Sequence, residues 1–178
     1  MRRLSLAFGL ALGTAALLCA ACGGGSSTTT LTVNGNRGGK KTYVSLSKDA
    51  SGTCVVSPGV GTLGAKKNGK ITWILSNDCD TTQYVVATHY QEEKGGDPTN
   101  LGPVETNVVD PDPAVYNGLN AGDDDKKLDA TIIKTNGTTK DILYKYWICT
   151  SASAIPNPLP DPLPTTIHCL DPDADVWP

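Results

Sequence analysis

Apolar and polar residues alternate along several short stretches of the chain, and no window of helical length keeps apolar residues three and four positions apart. This alternation is typical of half-buried β-strands. It is plainest in KITWILS, where Ile71, Trp73 and Leu75 share one face, so we expect Trp73 in the core. The other predicted strands are KTYVSLS, TCVVS, TQYVVATHY, DATIIKT, DILYKYWIC and ADVW.

Turn-forming stretches such as SNDCD, EKGGDP and TNGT separate the predicted strands. Roughly seven or eight strands in a chain of this length predict an all-β fold, a single β-sandwich or Greek-key barrel. Residues 95–125 contain several prolines and a run of three aspartates. We expect them to form a long excursion over the sandwich.

A proline-rich stretch, Ile155–Pro164, has proline at every second position. Proline fixes an extended backbone and donates no hydrogen bond, so this stretch is not expected to be a central strand. It lies between Cys149 and Cys169, and a bridge between these cysteines would close it into an exposed loop. Such a loop can be a recognition surface, although a tolerated insertion is the preferred interpretation.

The N-terminus reads as an export signal. Arg2 and Arg3 precede an apolar stretch, Leu4–Leu18, which at about 15 residues is too short to span a bilayer as a helix. Small residues then lead to Cys22, and the sequence GGGSSTTT that follows is a flexible tether. These stretches resemble a bacterial lipoprotein signal.

The lipoprotein resemblance implies a domain organisation. Residues 1–21 would be removed, Cys22 would become the lipid-modified first residue that anchors the protein in a membrane, residues 22–40 would form the tether, and residues 41–178 the β-sandwich domain. The family usually places leucine where Cys19 stands. Gly23 follows the anchor cysteine in place of the aspartate that marks inner-membrane retention, which favours the outer membrane. The alternative is an ordinary secreted protein cleaved nearby.

Charge and cysteine content narrow the function classes. Without Arg2 and Arg3, 13 basic and 18 acidic side chains remain, a net charge of about −5, which argues against a nucleic-acid partner. Four cysteines remain in the expected domain, and an even number in an exported chain predicts disulfides. Four cysteines allow three pairings. Proximity along the chain and the predicted strands favour Cys54 with Cys79 and Cys149 with Cys169.

Three segments taken in order, GKITWILSND, LYKYWIC and LDPDADVWP, resemble the cupredoxin-like domains of exported bacterial proteins. The resemblance covers about Lys41 to Pro178 and implies a Greek-key β-sandwich. It also implies that Ala174 and Val176 of the last strand point inward. An immunoglobulin-like sandwich is the alternative fold, since it would give much the same pattern.

The resemblance raises copper as an alternative, with His89, Cys149 and His168 as ligands. A blue-copper site needs two imidazoles, a thiolate and a weak axial ligand, usually methionine. The only methionine is Met1, and Cys149 lies on the opposite face of its strand from Tyr144, Tyr146 and Ile148. A disulfide at Cys149 would remove the thiolate. We therefore expect no metal and no cofactor.

Other chemistry has no recognisable motif. Asp171, Asp173 and Asp175 begin like a calcium loop, but Val176 occupies the position that needs glycine. No nucleophile elbow or phosphate-binding loop is present in the sequence. The sequence therefore predicts a lipid-anchored lipoprotein of the cell envelope, not an enzyme, with a binding or structural module for an unknown envelope protein or small ligand. A copper electron-transfer protein is the alternative.

Overall fold

The computed structural model describes residues 39–178, which form two curled β-sheets and no α-helix. The predicted all-β fold is therefore confirmed. The strands are β1 (Lys41–Lys48), β2 (Cys54–Val56), β3 (Leu63–Ala65), β4 (Lys70–Asn77), β5 (Gln83–Glu93), β6 (Leu101–Glu105), β7 (Val109–Asp110), β8 (Ala114–Leu119), β9 (Lys126–Ile132), β10 (Ile142–Ser151), β11 (His168–Leu170) and β12 (Asp173–Val176). No helix in this part of the chain is long and apolar enough to cross a membrane.

The first sheet has five strands in the order β2-β1-β4-β9-β7. Strands β1 and β4 run parallel, with Thr42 opposite Trp73, and the other neighbours run antiparallel. Cys54 begins β2 and Cys79 follows β4, and a disulfide joins them. This bond fixes the edge strand β2 to the turn after the strand that carries Trp73.

The second sheet has seven strands. Its path is β3-β12-β10-β5-β6, while β11 also pairs with β10 and β8 with β5. Strands β3 and β12 run parallel and the other pairs antiparallel. Cys149 of β10 lies opposite Cys169 of β11, and the two are disulfide-bonded. The disulfide therefore closes the loop of residues 152–167 at its base.

The core lies between the two sheets and is centred on three aromatic side chains. Trp73, Tyr90 and Tyr146 have no exposed surface. Trp73 Nε1 donates a hydrogen bond of 2.9 Å to Tyr146 Oη, and the Tyr90 and Tyr146 rings stack with centroids 5.5 Å apart. The expected core position of Trp73 is confirmed. Burying a large apolar side chain contributes about 1.5–3 kcal/mol, so these three residues dominate the packing.

The predicted inward positions of the last strand are also found, because Ala174 and Val176 are buried in the same core. Apolar residues from both sheets complete it. They include Val44, Leu46, Leu63, Ile71, Leu75, Val85, Ala87, Leu119, Ile132, Tyr144 and Ile148.

The expected excursion at residues 95–125 is wrong in one respect. Three strands, β6, β7 and β8, lie within it. Strands β6 and β8 both pair with β5, and β7 pairs with β9, so the segment belongs to both sheets. Val108, Val109 and Ala114 are buried in the core on either side of two prolines. The segment therefore packs into the sandwich although the prolines interrupt its strands.

The proline-rich stretch contains no strand, as expected, but its extended conformation is interrupted by bends at 157–158 and 161–162. These bends turn the chain back toward the second sheet. The structure therefore places part of this loop beside β5, where it contributes to the site described next.

Candidate functional site

A β-bulge in β5 creates the site. In the register of β5 and β10, Gln91 pairs with Lys145 and Thr88 pairs with Trp147, so two residues of β5, His89 and Tyr90, lie opposite one residue of β10. A bulge of this kind disturbs the alternation of side chains and re-aims one of them. His89 takes the left-handed backbone conformation, with φ of 63°. This conformation is uncommon for a residue with a side chain.

The bulge leaves two consecutive side chains, Thr88 and His89, on the outer face and keeps the next one, Tyr90, in the core. Tyr90 enters the core and stacks on Tyr146, whereas His89 stays outside the core and stacks on Trp147 with ring centroids 3.9 Å apart and planes 10° from parallel. Thr88, directly before His89, is also half-buried and outside the core. The bulge therefore places a hydroxyl and an imidazole side by side on the outer face.

These two side chains line a cleft of about 280 Å³ between the outer face of β5 and the proline-rich loop. Four segments contribute to its walls: β5, the end of β6 with the residue after it, the residues before β8, and the loop. The lining residues are Thr88, His89, Val104, Thr106, Asp112, Pro113, Asn157, Pro158 and Leu159.

Asp112 is the charged group among the residues that line this cleft. Its carboxylate Oδ1 accepts a hydrogen bond of 2.9 Å from Thr88 Oγ1. The side chain is half-buried, and this burial raises the pKa of Asp112, while the Thr88 hydrogen bond and His89 act in the opposite direction. The cleft thus holds a carboxylate that is partly removed from water.

Burial of His89 favours the neutral form of its imidazole. Burial lowers the pKa of the imidazole and outweighs a hydrogen bond with Gln91 and the charges of Asp112 and Asp161, which favour protonation. A neutral imidazole offers one donor and one acceptor nitrogen. Together with Thr88, Thr106 and Asn157 it supplies polar contacts, while Val104 and Leu159 supply apolar walls.

The sequence predicted His89, Cys149 and His168 as ligands of the copper alternative, and the structure does not bring them together. His89 lines the cleft described above, whereas His168 lines a second cleft of about 290 Å³ with Thr53, Thr81 and Thr166. Cys149 is bonded to Cys169. Within residues 39–178, no group of three or more histidine, cysteine, aspartate or glutamate side chains is arranged to hold a metal ion.

The remaining predicted site residues are cysteines. The structure contains the two cysteine pairs that the sequence favoured, Cys54 with Cys79 and Cys149 with Cys169. Cys22 lies outside the described residues, as do the signal and all but the end of the tether.

Sequence reasoning missed the cleft because it considered His89 only as a ligand of the copper alternative and placed Asp112 in an excursion over the sandwich. One signal was present. Val85 and Ala87 alternate as inward residues, and the next aromatic residue, Tyr90, comes three positions after Ala87. An extra residue in the strand is required for all three to reach the core, and this extra residue marks the bulge.

Comparison with protein-family models, with curated proteins and with solved structures finds no match for this chain. The function is therefore inferred from the described site.

Proposed function

We propose that this chain is a lipid-anchored, non-catalytic binding module of the cell envelope that recognises its ligand in the cleft beneath the proline-rich loop. The observation that carries the proposal is the β5 bulge, which takes His89 out of the core pattern and places it beside Thr88 in a cleft with Asp112. A bulge that re-aims side chains into a concave surface is typical of functional sites.

The disulfide between Cys149 and Cys169 supports a binding role for the loop. It joins β10 and β11 at the two ends of residues 152–167, so the loop is restrained at its base. The bend at residues 157–158 lines the cleft together with residues of β5. Restraining a loop in its binding conformation lowers the entropy cost of binding. A tolerated insertion has no need of such restraint, which favours recognition over the interpretation preferred from sequence.

For the scaffold we propose a cupredoxin-like sandwich. The parallel pairs β1 with β4 and β3 with β12 favour it over the immunoglobulin-like alternative, because immunoglobulin sandwiches are built from two antiparallel sheets. The parallel pairs place the first strand, β1, beside β4 and the last strand, β12, beside β3. Fold alone does not define function, so the proposal rests on the cleft.

Neither catalysis nor copper electron transfer gains support from the geometry. Thr88 donates a hydrogen bond to Asp112 directly, and the residues that line the cleft do not include the base and orienting acid in sequence that a nucleophile would need. The thiolate that copper would need is in a disulfide, and the two histidines line different clefts. Copper added to the purified protein should give no intense thiolate-to-copper colour, and a stoichiometric coloured complex would contradict this part of the proposal.

The anchor is proposed from Cys22. The cysteine follows a short apolar segment and precedes a flexible tether, so a lipid at this position would hold the module at a membrane surface, the outer membrane if the cell has two. Mass spectrometry of the mature N-terminus should find a lipid-modified Cys22. An unmodified N-terminus at another residue would refute the anchor without affecting the binding proposal.

Site-specific photo-cross-linking in intact cells tests the binding proposal. A benzoylphenylalanine at Leu159, in the loop wall of the cleft, should form a ligand adduct. The matched control is the same residue at Tyr43, an aromatic position in the first sheet that is 68% exposed. An adduct at position 159 and none at position 43 supports the proposal. Adducts at position 43 alone would move the recognition surface to the other sheet.

A further inference from the structure

The Asp112 carboxylate has a neutral hydrogen-bond donor and no cationic partner. Thr88 Oγ1 is the donor, and the salt bridges within residues 39–178 pair other acids with lysines and leave Asp112 out. No lysine or arginine lines the cleft. Partial burial of a carboxylate without a cation is unfavourable, so the cleft would gain most from a ligand that carries the missing positive charge.

The cleft lining holds one carboxylate, that of Asp112, and a second carboxylate acts on its histidine. Burial lowers the pKa of the His89 imidazole and so favours its neutral form, and the charge of Asp161 in the proline-rich loop acts on His89 in the opposite direction. Asp112 and Asp161 therefore contribute two negative charges with no cation among the lining residues. An anionic ligand would be repelled by this arrangement.

Four of the lining residues are apolar. Val104, Pro113, Pro158 and Leu159 surround the polar groups with hydrocarbon surface. A cleft of about 280 Å³ lies near the lower limit for small-ligand sites, which indicates a small ligand or one side chain of a larger one. Within the described residues, no group of three or more histidine, cysteine, aspartate or glutamate side chains is arranged to hold a metal ion, so the cleft is treated as a site for an organic ligand.

The geometry points to a site for an alkylammonium group, with Asp112 as its counter-ion, His89 and Thr88 beside it, and the apolar stem of the ligand against Pro158 and Leu159. This inference rests on the proposed function, since it names the ligand chemistry of the same cleft. Two sources supply such a group: a free aliphatic amine, or a lysine side chain of a partner protein. Both present one ammonium on a flexible hydrocarbon stem.

Nuclear magnetic resonance of the full-length protein in detergent tests the inference with n-butylammonium as the probe. The chain has two histidines, so the side-chain signals of His89 report on the cleft and those of His168 on the second cleft. We expect saturable shifts at His89, with a dissociation constant on the order of 1 mM for so small a probe, and no shift at His168. Butanol, the neutral analogue, should bind about tenfold more weakly or not at all.

The matched variants are Asp112→Asn and Asp78→Asn. Asparagine keeps the oxygen that accepts from Thr88 and removes the charge, and Asp78 is an exposed aspartate remote from the cleft lining. Asp112→Asn should weaken n-butylammonium by about tenfold, and Asp78→Asn should leave it unchanged. Equal binding of butanol and butylammonium, or an unchanged affinity in Asp112→Asn, would overturn the inference.

A lysine derivative blocked at both backbone ends distinguishes the two sources. Tighter binding of this derivative than of n-butylammonium indicates a lysine of a partner protein, and the reverse order indicates a free amine. Absence of alkylammonium binding together with an in-cell adduct at position 159 would refute the ammonium inference and leave the binding function standing. Absence of both would refute both.

Discussion

Two stacked aromatic pairs lie on opposite faces of the same two strands, and they differ in almost every physical respect. On the inner face Tyr90 and Tyr146 have no exposed surface and belong to the core. On the outer face His89 and Trp147 are half-buried, and carboxylates act on the imidazole. The inner pair lowers the free energy of the folded state, while His89 of the outer pair presents polar atoms to the cleft.

One pair of strands thus contributes both to the core and to the cleft. A strand without the bulge would continue the alternation of Val85 and Ala87, so His89 would point into the core and Tyr90 out of it. Every later side chain would then lie on the wrong face. The bulge absorbs one residue between Thr88 and Gln91, so the pairing of β5 and β10 resumes and the core is kept. The bulge has a local cost in free energy, because it holds His89 in the left-handed backbone conformation.

The largest expected effect separates the two disulfides. Replacing Cys149 and Cys169 together by alanine should lower the free energy of unfolding by about 3 kcal/mol, because it releases a loop closed across 20 positions, and it should also weaken binding in the cleft. Denaturant unfolding and the position-159 cross-link measure the two effects.

The control is the other disulfide, which spans 25 positions in the first sheet. Replacing Cys54 and Cys79 by alanine should cost a similar free energy, about 3 kcal/mol, and leave the cross-link yield unchanged. If both double variants lost the cross-link equally, the disulfide of the proline-rich loop would have no special role in recognition.

The next effect contrasts the two tyrosines of the inner pair. Tyr146→Phe removes the acceptor of the Trp73 Nε1–H and leaves that buried donor without a partner, so we expect a loss of about 1–3 kcal/mol. Tyr90→Phe is the matched change. Its buried hydroxyl has no hydrogen-bond partner among the described residues, so its removal should be neutral or stabilising.

Thermal and denaturant unfolding of the two tyrosine variants check this pair. A larger loss for Tyr90→Phe than for Tyr146→Phe would show that the hydrogen-bond arrangement in the core is wrong.

A smaller effect concerns the bulge. His89→Val places a β-branched residue in the left-handed region and should lower the free energy of unfolding by about 1–2 kcal/mol relative to His89→Asn, because asparagine tolerates this conformation. Both variants lose the stack on Trp147, so the stack cancels in the comparison. Equal stabilities of the two variants would mean that residue 89 does not hold a positive φ.

The smallest effect is a pH dependence at Asp112. Its pKa is raised in the folded state, so the folded protein binds protons more readily than the unfolded chain, and ionisation of the carboxyl destabilises the fold as pH rises through the raised pKa. Asp112→Asn should therefore be slightly more stable than the wild type at neutral pH. The difference should vanish below the ordinary aspartate value of 3.8.

Melting temperatures of the two proteins across this pH range measure the difference. A variant less stable than the wild type at neutral pH would show that a cation within the fold compensates the Asp112 charge. That result would contradict the absence of Asp112 from the salt bridges of residues 39–178.

The parts of the fold that follow local rules were predictable from sequence. Alternation located β1, β4, β5 and β10, and it placed Trp73 in the core, because a strand with one buried face must repeat every second residue. The DATIIKT strand was expected at residues 129–135 but lies at Lys126–Ile132, since the lysines before it continue the pairing with β4.

The candidate site was much less predictable, because its parts meet only through long-range pairing. Asp112 comes from residues 95–125, which the sequence predicted to be an excursion. Asn157 comes from the proline-rich loop, more than 40 residues away along the chain. His89 was noticed as a residue but not as part of a bulge. Composition and periodicity describe single strands, and they carry no information on which loop folds over which strand.

The most direct test of the account measures the cross-link from position 159 in two further backgrounds, Asp112→Asn and Tyr146→Phe, under conditions where both are folded. We predict that Asp112→Asn greatly reduces the adduct while its free energy of unfolding stays close to that of the wild type. Tyr146→Phe should lose about 1–3 kcal/mol of stability and keep the adduct. An adduct that followed stability in both variants, and was indifferent to the Asp112 charge, would contradict the division between a stabilising inner face and a recognising outer face.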